Sequence, residues 1–194
     1  MSERRHSVCP WWIGWLLANP LRRLFQDPAA LVAPYVREGM TVLEPGPGMG
    51  FVTLELARCV GPAGRVVAVD LQPQMLAGLR RRAAKAGVLG RLDLRLATPE
   101  SLQIGDLTGT VDFALACAVV HELPDPAPFF REVSQALKPG GRLLLIEPRG
   151  HVSPEEFAAQ VQSATAACLD ETERPELRRS RTALFVKPKH RLAI

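Results

Sequence analysis

From residue 40 onward the chain alternates two spacings of hydrophobic positions. Five short runs are nearly continuous in apolar residues: Met40–Glu44, Arg65–Asp70, Leu92–Leu96, Val111–Ala116 and Arg142–Glu147. A strand that reads this way is buried on both faces, which is the habit of parallel sheets. Between the runs lie longer stretches with helical spacing. One covers about Phe51 to Cys59, a second carries Met75, Leu76, Leu79 and Ala83, and a third carries Phe129, Phe130, Val133 and Leu137. Gly61-Pro62-Ala63-Gly64, Gly87 and Lys138-Pro139-Gly140-Gly141 close them. Strand and helix in strict alternation predict an α/β, Rossmann-like three-layer sandwich with a parallel sheet.

The pattern changes after residue 150. Ser153-Pro154-Glu155-Glu156 predicts an N-cap, a proline in the first turn and acids at the positive end of a helix that runs to about Ala167. Two further strands are expected near Asp170–Glu173 and Thr182–Val186, joined through Pro175 as an antiparallel pair. Residues 1–38 are expected to form a helical N-terminal segment, and 39–194 the domain that carries the sheet.

At 194 residues, with 47% hydrophobic and 23% charged, the chain suits one globular domain. Its formal charge is +4. The basic residues are spread along the chain, as in Arg80-Arg81-Arg82 and Arg178-Arg179, which favours solvated helix faces over a nucleic-acid surface. None of the four cysteines forms a C-x-x-C pair, so no structural metal is expected. Three sit in apolar runs, where a reduced thiol packs as a small hydrophobe, and a cytoplasmic setting follows. The apolar stretch from Pro10 to Ala18 is too short to cross a bilayer, which takes about 20 residues.

Candidate chemistry begins at Glu44-Pro45-Gly46-Pro47-Gly48-Met49-Gly50, at the carboxyl end of the first strand and the start of a helix. Open α/β sheets bind ligands there. The spacing is G-x-G-x-G, not the dinucleotide G-x-G-x-x-G, and no G-K-S/T follows, which excludes a phosphate-cradling P-loop. Asp70 ends the second strand, where a carboxylate can take both hydroxyls of a ribose or cap the helix that starts near Gln72-Pro73. By themselves these residues point to a nucleotide-like ligand and no further.

Three motifs together resemble class I S-adenosylmethionine-dependent methyltransferases: Val42 to Gly50, Val67-Ala68-Val69-Asp70, and Leu137-Lys138-Pro139-Gly140-Gly141-Arg142-Leu143. The likeness runs over roughly residues 37 to 188. His121-Glu122-Leu123-Pro124-Asp125 and Glu147-Pro148-Arg149-Gly150-His151-Val152 are similar to the small-molecule branch of ubiquinone/menaquinone and arsenite methyltransferases. The resemblance implies a seven-stranded sheet in the order 3-2-1-4-5-7-6, with strand 7 antiparallel, and S-adenosyl-L-methionine as cofactor. It places Glu44, Gly46, Pro47, Gly48 and Gly50 beside the methionine part of that cofactor, Asp70 on the ribose and Leu71 on the adenine. Thr98 and Pro99 would border the adenine amine, although relatives commonly carry an aspartate where Thr98 stands. Ala116 and Cys117 would face the sulfonium.

For the acceptor side, His121 follows strand 4 and is the candidate base, with a packing histidine as the competing reading. Arg149 and His151 lie just past strand 5, either as a clamp for an anionic acceptor or as solvated residues. The N-terminal segment carries Trp11, Trp12 and Trp15 and is expected to close over the cofactor, with Tyr35 near the acceptor. It would otherwise pack on the sheet edge, or make a weak membrane-surface contact that includes Arg22 and Arg23. Cys9 and Cys117 raise a metalloid acceptor, against which plain packing is preferred. The expected activity is methyl transfer to a small molecule by a monomer or homodimer. The competing functions are a catalytically inactive cofactor-binding scaffold and an NAD-dependent oxidoreductase. No Asp/Asn-Pro-Pro-Tyr/Phe motif follows strand 4, which argues against methylation of nucleic-acid bases.

Overall fold

The computed structural model describes residues 27–189. Helix α1 (Pro28–Val32) leads into β1 (Thr41–Pro45), α2 (Thr53–Cys59), β2 (Arg65–Asp70), α3 (Pro73–Lys85), β3 (Leu92–Leu96) and β4 (Val111–Cys117). Helix α4 (Pro126–Ala136), β5 (Leu137–Pro148), α5 (Pro154–Ala166), β6 (Asp170–Glu173) and β7 (Ser180–Val186) complete it. The sheet has seven strands in the order β3-β2-β1-β4-β5-β7-β6. Strands β1 to β5 pair in parallel, and β7 runs antiparallel to both β5 and β6. The fold class and the late antiparallel pair are as the residue pattern predicts, and the strand order is the one the family resemblance implies.

Alternating residues divide the core between the two faces of the sheet. Val42, Val66, Ala68, Phe113, Leu115, Leu144 and Leu184 face the layer of α1, α2 and α3. Leu43, Val67, Val69, Ala114, Ala116, Leu143, Leu145 and Phe185 face α4 and α5. Each face needs its own helical layer to leave water, and the parallel crossovers supply them.

Local chemistry sets the helix starts. Asp125 caps α4 by accepting from Ala127 N at 2.9 Å, ahead of a first-turn proline. Ser153 and Glu156 form a reciprocal capping box on α5, with Ser153 N donating to Glu156 Oε2 at 2.8 Å and Glu156 N donating to Ser153 Oγ at 3.1 Å. Two details depart from expectation. Helix α2 begins at Thr53, because the glycine loop runs on as turns through Val52. Strand β5 begins at Leu137, not at Arg142. The Lys138–Gly141 stretch bulges against β4 between the Val111–Leu137 and Phe113–Arg142 pairs. It keeps strand character because Gly140 N donates to Lys187 O and Lys187 N to Gly141 O, at 2.8 and 2.9 Å.

Residues 27–38 are part of this core. Val32 and Val36 are buried against the α2 layer, so the described part of the N-terminal segment packs with the sheet domain. Among the described residues no helix is long and apolar enough to cross a membrane. Trp11, Trp12, Trp15, Arg22, Arg23 and Cys9 lie outside the described residues.

Candidate active site at the carboxyl ends of β1 to β4

A cavity of about 470 Å³ opens where β1, β2, β3 and β4 end. Its walls are the glycine loop from Glu44 to Met49, residues Asp70 to Gln72, the 97–102 loop, the 117–125 turn, and Phe129 and Glu132 of α4. This is the crevice at which open parallel sheets bind ligands.

The glycine loop is shaped by two close approaches. Gly46 has φ +69°, and a Cβ there would stand 2.7 Å from Val119 Cγ2, so the β1 and β4 turns meet with no room for a side chain. Gly50 has φ +83°, and a Cβ would stand 2.3 Å from Leu79 Cδ1. Gly46, Pro47 and Gly48 line the cavity, whereas Gly50 stands behind it and lets the loop close onto α3. Opposite Gly46, Ala118 takes φ +56°, an uncommon conformation for a residue with a Cβ. Its N–H donates to Ile146 O at 2.7 Å and pins the turn to β5.

Two carboxylates sit at the floor. Asp70 is 9% exposed and accepts from Gly48 N at 3.3 Å and Gln72 N at 2.9 Å. Burial pushes its pKa up to about 6; the two amides work against the rise and the charge of Glu122 adds to it. Glu44 is 3% exposed, and its Oε2 has no hydrogen-bond partner in the described structure. Burial pushes its pKa up to about 7, opposed by the Thr53 hydroxyl and reinforced by Asp70. Glu132 fastens the far wall, accepting from Ser101 Oγ at 3.1 Å and Leu102 N at 3.0 Å. Glu100, Glu122 and Asp125 also line the cavity, and no lysine, arginine or histidine does among the described residues. A wall of carboxylates around a partly apolar cavity favours a ligand with positive charge.

The family model described as a methyltransferase domain matches residues 43–145, which carry the whole of this site. The chain belongs to the class I S-adenosylmethionine-dependent methyltransferases. The ubiquinone/menaquinone biosynthesis C-methyltransferase UbiE of Enterobacter sp. (strain 638) is 36% identical over 115 residues, 58% of this chain and 44% of that protein. The protein of the same name from Escherichia coli O1:K1 / APEC matches with the same identity and coverage. The chain thus spans less than half the length of these curated relatives. Among solved structures, a SAM-dependent methyltransferase from Aquifex aeolicus superposes with a TM-score of 0.80 at 24% identity, covering 92% of this chain and 98% of that one. That likeness speaks for the fold.

The cavity fits the family's cofactor. S-adenosylmethionine is a cation with an ammonium, a sulfonium and a ribose diol. The site offers a buried carboxylate oxygen with no partner at Glu44, a second carboxylate at Asp70 and a turn at Gly46 that no side chain can enter. Leu71, Thr98, Pro99 and Cys117 line the cavity too. Ala116 does not. It is fully buried, with its side chain on the α4 and α5 face, because strand alternation turns it away when Cys117 faces the cavity.

The four residues expected on the acceptor side are not in the cavity wall. Tyr35 stacks on Phe113 with ring centroids 5.5 Å apart, and the Arg142 guanidinium lies 5.5 Å from its centroid. Phe113 and Arg142 stand well before the carboxyl ends of β4 and β5, so Tyr35 is held away from the crevice. His121 turns toward β5, where its Nδ1 is 2.5 Å from Glu147 Oε2. That contact raises its pKa, with burial working against the rise. His151 meets the His121 ring edge-on at 5.4 Å. Arg149 is exposed, and its Nε donates to Ser180 O at 3.0 Å.

Glu147, Glu132 and Ala118 carry structural work that the sequence reading did not assign. Glu147 is fully buried and also accepts from Val120 N at 2.9 Å, tying the turn after β4 to the end of β5. An acid at the end of an apolar strand, as at Glu44 and Asp70, was the signal available for it. Neither Ala118 nor Glu132 has such a signal, since each depends on contacts with distant residues. No cluster of three or more metal-ligating side chains occurs among the described residues.

Proposed function

We propose that this protein transfers a methyl group from S-adenosylmethionine to an uncharged or cationic small molecule. The observation that carries the reading is the Glu44 carboxylate, buried in the cavity with one oxygen unpartnered, beside Asp70 and the Gly46–Gly48 turn. In this reading Glu44 holds the ammonium of the methionine part and Asp70 the ribose hydroxyls. Leu71, Thr98 and Pro99 border the adenine, and Cys117 lies near the sulfonium. When bound, the cofactor supplies a methyl carbon activated by positively charged sulfur.

The work left to the chain is to orient an acceptor and exclude water. The apolar wall of Phe51, Met75, Leu102, Leu123 and Phe129 suits an aromatic or aliphatic body. Any proton the acceptor loses passes to a wall carboxylate or to solvent, because no imidazole or amine lines the described cavity. The names of the curated relatives favour a quinone-type acceptor, whereas a metalloid acceptor has one thiol in the described wall, Cys117. A cytoplasmic setting belongs to the same reading.

Calorimetric titration with S-adenosylhomocysteine tests the cofactor assignment, with Asp70→Ala expected to weaken binding about tenfold or more. Transfer of labelled methyl to a panel of phenols, quinols, amines and thiols then identifies the acceptor. Failure of the wild-type protein to bind either S-adenosylmethionine or S-adenosylhomocysteine overturns the reading.

A further inference from the structure

The two edges of the sheet are built differently. Strand β6 closes one edge with Asp170-Glu171-Thr172-Glu173, four exposed residues of which three are acids, and its pairing with β7 is interrupted between Glu171 and Glu173. Short length, charge and a bulge are the devices that keep an edge from recruiting another strand. Strand β3 closes the other edge with Leu92-Asp93-Leu94-Arg95-Leu96. It pairs with β2 in unbroken register and has no proline, lysine or bulge.

One face of β3, the face toward α3, is apolar up to its end. Leu96 is 53% exposed, the exposed large hydrophobic residue of the described structure. With Leu94 it faces a shallow groove against Pro73, Leu76 and Ala77 of α3, beside Arg80 and Arg81. On the opposite face of the strand, Arg95 bonds Asp93 and Asp106.

We propose that β3 pairs antiparallel with β3 of a second copy, making a two-fold dimer with one sheet continuous across both chains. A two-fold axis relating two copies of one strand forces antiparallel pairing. Centred on Leu94, that register sets Leu92 opposite Leu96 and Asp93 opposite Arg95, on both sides of the axis. The charge order along β3 is therefore complementary to itself, and directly opposed unlike charges stabilise an antiparallel pair. The same register lays the exposed Leu96 of each copy against Leu92 of the other. The pairing leaves the cavity untouched, since β3 meets it only through the loop that begins at Ala97.

Sedimentation velocity of the full chain over a wide concentration range tests this. Wild type is expected to dimerise. Leu96→Lys, at an exposed position, is expected to weaken the dimer about tenfold with unchanged thermal melting. Asp93→Arg sets Arg against Arg, and Arg95→Asp sets Asp against Asp, so each is expected to sediment as a monomer. Mixed together they restore both opposed pairs and are expected to form a heterodimer. A loss of fold in either variant would not regenerate on mixing. A wild-type protein that stays monomeric at every concentration overturns the proposal. So does a dimer that Leu96→Lys and both charge reversals leave unchanged.

Discussion

Two glutamates stand at the ends of the strands on either side of β4 and serve different purposes. Glu44 closes β1 and Glu147 stands at the end of β5, and both are buried, at 3% and 0% exposure. Glu147 has its donors within the fold: Val120 N and His121 Nδ1 satisfy its two oxygens and fasten the turn after β4. Glu44 keeps one oxygen without a partner and faces a cavity whose described walls hold no cation. A buried polar atom left unpaired costs about 1–3 kcal/mol. The fold tolerates that cost at one strand end and removes it at the other. The difference separates a carboxylate reserved for a ligand from one committed to architecture.

Breaking the architectural side is expected to have the largest effect. Glu147→Ala strands a buried amide and an imidazole, and a loss of about 3 kcal/mol in unfolding free energy is expected. Thermal denaturation would then show a midpoint lowered by roughly 6–12 °C. On the ligand side the same scan should move less for Glu44→Gln, which keeps the buried volume and strands no backbone amide.

The pH dependence sharpens the contrast next. Glu44 and Asp70 have pKa values raised to about 7 and about 6, so the folded state retains protons that the unfolded chain has released. Their contribution to stability is complete below the ordinary carboxylate range and is lost as pH rises through the raised values. His121, also raised, acts in the same direction, with stability lost as pH rises through its folded value. Denaturation free energy of the ligand-free protein is expected to fall by about 2 kcal/mol or more from pH 5 to pH 8. Glu44→Gln should flatten part of that slope. A cationic ligand favours ionised carboxylates, so its stabilising shift in melting temperature should grow over the same range.

The smallest effect is expected at Arg149. Its exposed side chain donates to the Ser180 carbonyl, away from the cavity. Arg149→Ala should change stability by less than about 0.5 kcal/mol and leave cofactor affinity unchanged. A large loss of methyl transfer to an anionic acceptor would instead restore the clamp suggested by its place after β5.

What the sequence made legible was whatever is written in contiguous residues. The apolar strands, the glycine loop, Asp70 and the Ser153 capping box are local signals, and each is found in the structure, with shifted starts at α2 and β5. Less legible were features that depend on contact between remote segments. The ring of Tyr35 is claimed by Phe113 and that of His121 by Glu147, and neither choice is visible from proximity to a motif. Gly50 reads as one of three loop glycines until Leu79 of α3 is seen against it. The positive φ of Ala118 has no sequence mark at all. Ala116 is a different case: period-two alternation with Ala114 already turns it toward the helices and leaves Cys117 for the cavity.

The most direct measurement is calorimetric titration of S-adenosylhomocysteine into Glu44→Gln and Glu147→Gln, each held below its own melting transition. If Glu44 is the ligand's carboxylate and Glu147 the fold's, Glu44→Gln should weaken binding about tenfold or more with melting preserved. Glu147→Gln should lower the melting temperature while affinity stays within about threefold of wild type. Equal affinity in wild type and Glu44→Gln would contradict the account.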